Sequence, residues 1–385
     1  MFARQRNVLL ALSALVMTPL TARLESVDAR GIQFVPFHSL TQFRRASESA
    51  TDRAVLVSPE LRARIRWDEM IVSWNADAPP GTFLKIEARA VYPDRATKFY
   101  CLGIWSPDPE RHPRESVPGQ KDADGDVDTD TLMLREPAER FQLRLTLGGE
   151  GRARPRIKFL GVCLTDTRAR PAVLPPNRAA WGKTIAVPER SQMLYENGEV
   201  LCSPTTLSML LAWWSERLGR PELNRDVPEV AAGVFDPKWG GTGNWVFNTA
   251  YAGAFQGLRA CTARFSDVAE LEDWIARGIP VGLSLCYNRL RGRGGETSGH
   301  LVVCVGFTEN GDVVVNDPGT RRNVRKTFPR ANLIEAWAYK HNTVYLVYPT
   351  GARLPKDRFG HWDSPLARRL AWQAGLRPAP DRAAR

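Results

Sequence analysis

The chain has 385 residues, 43% of them hydrophobic and 25% charged, with 30 Gly and 28 Pro, which excludes a disordered tail, a coiled coil and a collagen-like fibre. That length exceeds what a single core usually serves, so two domains are expected. A net charge of +11 admits an anionic partner, but nine of the 53 basic residues are Lys, the rest are scattered Arg, and no nucleic-acid-binding motif accompanies them, so nucleic acid is set aside.

Residues 1–22 place Arg4 and Arg6 ahead of an apolar run from Val8 to Met17, which is signal-peptide architecture and too short to span a bilayer comfortably. Export to the periplasm, cell surface or medium is expected, with a cytoplasmic location following only if this segment is not a signal. No later segment approaches transmembrane length. None of the six cysteines lies in a CxxC pair, which argues against zinc and thioredoxin-like chemistry. A Cys101–Cys163 disulfide stays open.

Residues 30–167 read as a β-sandwich accessory domain. Leu84, Ile86, Ala88 and Ala90 alternate with Lys85, Glu87 and Arg89, and residues 141–147 alternate as cleanly, as half-buried strands do. Turn formers at 79–81 and 148–149 separate the runs, which predicts antiparallel pairing. The acidic run 122–130 has carboxylates at alternate positions but lacks EF-hand spacing, so a solvated strand or loop is preferred to a calcium site. Trp67, Trp74 and Trp105 read as core residues in preference to a sugar-stacking platform. Proline-rich residues 168–182 form the linker.

In the second half, residues 183–349, Leu207, Leu210, Leu211 and Trp214 make the stripe of a helix packed into a core, with Pro204 suited to its first turn. Cys202 therefore opens a buried helix, where unpaired N–H groups and the helix dipole favour a thiolate. His300 opens a strand, a turn at 309–312 follows, and Asp317 ends the next strand. In an antiparallel pair His300 and Asp317 are neighbours, and a carboxylate beside an imidazole fixes its tautomer and supports its charge. A second helix spans 244–255. A third is capped by Ser266 and ends at Gly278. Trp245 fills the core or lines a cleft, with the core favoured. His38, His112, His341 and His361 lack neighbouring ligand-type residues, so neither a metal site nor a cofactor is expected.

The segment from Gln192 to Cys202-Ser203-Pro204-Thr205, with residues 243–251, Gly299-His300 and Val315-Asn316-Asp317-Pro318, resembles the papain-fold cysteine peptidases related to the bacteriocin-processing, double-glycine leader peptidases. The resemblance covers about 183–348. It implies an α+β protein: an N-terminal antiparallel β-sandwich followed by a papain-like cysteine peptidase domain. It implies Cys202 as nucleophile, His300 as general acid/base, Asp317 as orienting acid and Gln192 as oxyanion-hole glutamine. Ser203 stands where many relatives carry Gly, and no transporter segment or nucleotide-binding motif is present. The first half is similar, more loosely, to a β-rich module that precedes this domain in exported bacterial relatives. The expected activity is peptide-bond hydrolysis on a peptide or protein substrate, with the cell envelope as a candidate setting. A transpeptidase or amidase using the same residues, and an inactive cell-envelope binding protein, are the alternatives. The tail 350–385 is basic, and 366–376 could form a short amphipathic helix.

Overall fold

The computed structural model describes residues 30–297 and 299–362. The signal segment 1–22 and the candidate helix 366–376 lie outside the described residues. Alternation in the first half becomes nine strands: β1 (Ile32–Phe37), β2 (Arg44–Arg45), β3 (Arg53–Val57), β4 (Leu61–Asp77), β5 (Thr82–Val91), β6 (Tyr100–Trp105), β7 (Gly125–Asp128), β8 (Thr131–Gly149) and β9 (Arg156–Thr165). Their order is β1-β9-β4-β8-β3-β2, with β5 and β7 also on β8 and β6 on β5. All the pairs are antiparallel, as the alternation requires. The β4–β8 ladder shifts register between Arg62 and Trp67 and again between Trp67 and Glu69, and the β4–β9 ladder shifts between Asn75 and Ala76. Leu84, Ile86, Ala88 and Ala90 are fully buried. The opposite face of β5 is not simply solvated, because Glu87 is buried too, where Arg144 grips both its oxygens at 2.7 Å.

The second half comprises β10 (Lys183–Thr184), α1 (Cys202–Leu218), α2 (Val227–Val234), α3 (Trp245–Ala254), β11 (Leu258–Arg264), α4 (Val268–Ala276), β12 (Val281–Leu285), α5 (Tyr287–Leu290), β13 (His300–Phe307), β14 (Val313–Asn316), β15 (Arg325–Phe328), α6 (Arg330–Ala338) and β16 (Thr343–Pro349). Its antiparallel sheet has the order β11-β16-β12-β13-β14-β15, with β10 also on β13. Every residue of α1 from Ser203 to Ser215 is buried, so this helix is buried on all sides and not only along the expected stripe. The cap of α4 is Asp267, whose carboxylate accepts from the Ala269 N–H, one residue beyond the expected Ser266. Among the described residues no helix is long and apolar enough to cross a membrane.

The two halves share one core. Asn75 on β4 accepts from the Ala260 N–H at 3.1 Å and donates to the Ala260 carbonyl at 2.7 Å, so a side chain extends the backbone ladder of β11. The rings of Trp74 and Trp105 pack on Phe247 of α3, with centroids 6.1 and 5.4 Å away. These tryptophans and Trp67 are buried, as expected of core residues.

Residues 125–128 form strand β7, and Asp130 corrects the reading of the whole run 122–130 as solvated. It is buried, and its carboxylate accepts from the Trp245 N–H at 2.7 Å, capping α3 across the junction. Asp122 accepts from the Tyr100 hydroxyl and from the Asp124 and Gly125 N–H groups, and Asp124 pairs with Arg95, so these carboxylates already have protein partners. Cys101 and Cys163 are free thiols on β6 and β9, strands that are not neighbours, so they form no disulfide in this structure.

Candidate active site

The nucleophile candidate is set by a change of backbone. A single 3-10 turn, Gly198–Val200, hands over to α1 at Leu201, which caps the helix without a side-chain bond, so no side-chain oxygen competes for the first-turn N–H groups. Cys202 is half-buried at this start. Burial opposes ionisation of its thiol. Hydrogen bonding and charge from His300, with the N–H groups of Leu301 and Ser203 directed at the sulfur, outweigh it and hold the thiol below its ordinary range.

His300 Nε2 lies 2.8 Å from Asp317 Oδ1, with Asp317 fully buried. A β-bulge makes this contact possible. Near the turn Gly306 pairs with Val314 and Phe307 with Val313, a register that would set Asp317 opposite Val303, on the face away from His300. The extra residue Val305 shifts the pairing so that Cys304 meets Val315 and Val303 meets Asn316. Asp317 then falls opposite Val302, whose side of the strand His300 shares. Burial works against the His300 charge, but hydrogen bonds to Asp317 and Cys202 override it and push the imidazole up to about 9. Burial likewise opposes charge on Asp317, and His300, the Tyr287 hydroxyl and the Gly319 N–H hold its carboxyl down at about 2.

Gln192 is the buried residue of a 3-10 turn, Gln192–Leu194, that bridges the loops carrying the other residues. Its backbone N–H donates to the Pro318 carbonyl at 3.0 Å, next to Asp317, and its Nε2 donates to the Gly198 carbonyl at 2.7 Å, in the turn before Cys202. Gly198 has no room for a side chain, since an added Cβ would stand 2.2 Å from the Gln192 carbonyl oxygen. Primary amides carry two N–H donors, so one remains beyond the bond to Gly198. Its Oε1 is buried and has no protein partner.

All four residues expected from the sequence thus meet around the start of α1. Residues 184–345 match the family model described as Peptidase_C39 like family, and residues 23–165 match the one described as Peptidase C39 N-terminal domain. The second half is a C39-like peptidase domain. None of the curated proteins compared with the chain matches it.

Within the C39-like domain, Ser203 does not intrude on the site. Its hydroxyl is buried and lies 2.8 Å from that of Tyr345 on β16, pointing into the core while its N–H serves Cys202. Trp245 is partly buried against the core beside the junction. Three residues around Asp317 carried no sequence signal: Tyr287, Lys326 and Arg291. The Tyr287 hydroxyl donates to Asp317 Oδ2 at 2.6 Å and Lys326 Nζ stands 3.6 Å from the same oxygen. The Arg291 guanidinium lies 3.9 Å from the Tyr287 ring centroid. Tyr287 opens the short helix α5, Lys326 lies in the edge strand β15 and Arg291 in the loop after α5, places where sequence offers no pattern to single out one polar residue.

Proposed function

We propose that the protein is a cysteine peptidase that hydrolyses peptide bonds through a thioester on Cys202. The strongest support is Cys202 at the start of a buried helix, hydrogen-bonded to an imidazole whose far nitrogen is held by a buried carboxylate at 2.8 Å. The Cys202 thiolate attacks the carbonyl carbon, forming the C–S bond. The second Gln192 Nε2–H and the Cys202 N–H hold the developing oxyanion. His300 gives its proton to the amine as the C–N bond breaks. A water then attacks the thioester, His300 takes its proton, and the acid leaves with the thiolate restored. Exposed Leu194 and Val200, each two residues from Gln192 or Cys202, offer apolar surface for substrate side chains beside them.

The test compares the wild type with Cys202→Ala and Gln192→Ala on a mixed peptide library and with a thiol-directed probe. Cys202→Ala should lose hydrolysis and the labelled Cys202 peptide. Gln192→Ala should keep the label and lose about 100-fold in kcat, the usual loss for one oxyanion donor. Unchanged turnover in Cys202→Ala overturns the proposal.

A further inference from the structure

We propose that Tyr287 is a positioning residue of this site, holding the Asp317 carboxylate by its hydroxyl and the His300 ring by its own. This rests on the nucleophile reading of Cys202. Tyr287 is itself fixed from two sides: its N–H donates to Thr297 Oγ1 at 3.0 Å, and the preceding Cys286 N–H donates to the Ala336 carbonyl on α6 at 2.9 Å. From there it makes two contacts with the pair. The hydroxyl reaches Asp317 Oδ2 at 2.6 Å, and the ring lies against the imidazole with centroids 4.1 Å apart and planes inclined at 36°.

A carboxylate can rotate about its Cβ–Cγ bond, and only donors at both oxygens prevent it. Oδ1 accepts from His300 at 2.8 Å and from the Gly319 N–H at 2.9 Å. Oδ2 accepts from Tyr287, with Lys326 Nζ waiting at 3.6 Å. Without the hydroxyl, Lys326 is the cation placed to draw Oδ2 toward itself, which turns the carboxylate and shares its charge away from the imidazole. The groups facing the site from the surrounding elements are Tyr345 of β16, Lys326 of β15, and Arg291 and Arg293 after α5. Burial and the neighbouring Asp317 keep the Tyr287 phenol protonated far above neutral pH, so it stays a donor throughout the working range.

The test uses the full chain and follows iodoacetamide alkylation of Cys202, read by peptide mass mapping, from pH 5 to 10. Wild type should react as a thiolate at neutral pH. In Tyr287→Phe the acid limb of alkylation should rise, and the alkaline limb of kcat/KM for peptide hydrolysis should fall, each by about half a pH unit or more. Peptide hydrolysis should lose about tenfold in kcat with KM within about twofold, as expected for losing one charge-assisted hydrogen bond that acts only on the chemical step. Lys326→Met alone should leave the limbs in place, and added to Tyr287→Phe it should move them back toward wild type. If both limbs and kcat of Tyr287→Phe equal those of wild type, or if Lys326→Met fails to restore them in the double variant, the inference is overturned. A wild type with no neutral-pH reactivity at Cys202 would instead defeat the nucleophile reading before any variant is compared.

Discussion

Among the described residues two buried histidine–carboxylate pairs stand in different surroundings, and only one adjoins a thiol. His300 and Asp317 sit at 2.8 Å beside Cys202. His361 and Glu270 sit at 2.9 Å where the segment after β16 returns to the first half, the His361 carbonyl accepting from the Phe34 N–H of β1 at 2.7 Å. The side-chain types match and both pairs are buried. They differ in what else reaches the carboxylate. Asp317 receives the Tyr287 hydroxyl and the Gly319 N–H, and with His300 these drive its carboxyl down. Glu270 has the Ser266 N–H and His361, and burial prevails and pushes its carboxyl up. Residue type therefore does not make a dyad ready for chemistry. Donors at the carboxylate and a nucleophile at the other ring nitrogen do, and without them the same pair is a staple between α4 and the segment after β16.

Breaking each pair should give opposite signatures. His300→Ala is expected to lose about 1,000-fold or more in peptide hydrolysis, since it removes the general acid/base. His361→Ala should leave Cys202 alkylation unchanged and lower unfolding free energy by about 3 kcal/mol, the usual result of leaving one buried partner of an ion pair alone. Kinetics and urea unfolding on the same two variants check this. If His361→Ala quenches Cys202 instead, the separation of roles is wrong.

The pH dependence sharpens the contrast because the two carboxylates are shifted in opposite directions. Asp317, held down at about 2, contributes stability that is present above the ordinary carboxylate range and lost as pH falls toward 2. His300, raised to about 9, contributes stability that is present below the ordinary imidazole value and lost as pH rises through 9. Hydrolysis should accordingly show an alkaline limb near pH 9 in kcat/KM. Glu270, raised, behaves in the other sense: with His361 removed, lowering the pH lets it take a proton, so the stability deficit of His361→Ala should shrink from neutral to mildly acidic pH. Thermal unfolding under both conditions measures it, and a deficit that grows on acidification contradicts the assignment.

Much of the candidate site was legible because it is written in local signals. Cys202 precedes Pro204 and an apolar stripe, and His300 and Asp317 flank a turn whose Gly311 takes φ +83°. Strands with a clean period, such as β5 and the second part of β8, were legible for the same reason. Two things were not. The Val305 bulge that sets Asp317 on the His300 face lies inside an unbroken run of apolar residues, where no residue type marks an extra position. Contacts made across the junction were equally hidden, since Asp130, Asn75 and His361 find their partners more than 90 residues away. An acidic run reads as solvated until the helix it caps is known.

Asp130 gives the smallest effect and extends the comparison to a buried carboxylate with no histidine at all. Burial pushes its carboxyl up to about 6 although the Trp245 and Val246 N–H groups and the Thr131 hydroxyl favour the charged form. Its folded-state value lies above the ordinary one, so its contribution is complete at low pH and is lost as pH rises through 6. What α3 requires from this position is an acceptor, not a charge. Asp130→Ala removes the acceptor and should cost about 1 to 2 kcal/mol, as lost helix caps do. Asp130→Asn keeps an acceptor oxygen and drops the buried charge, so at pH 8 it should unfold within about 1 kcal/mol of wild type. Urea unfolding of both variants at pH 5 and 8 decides it. Were Asp130→Asn as damaging as Asp130→Ala, the charge itself would be holding the two halves together, and Asp130 would resemble Asp317 more than Glu270.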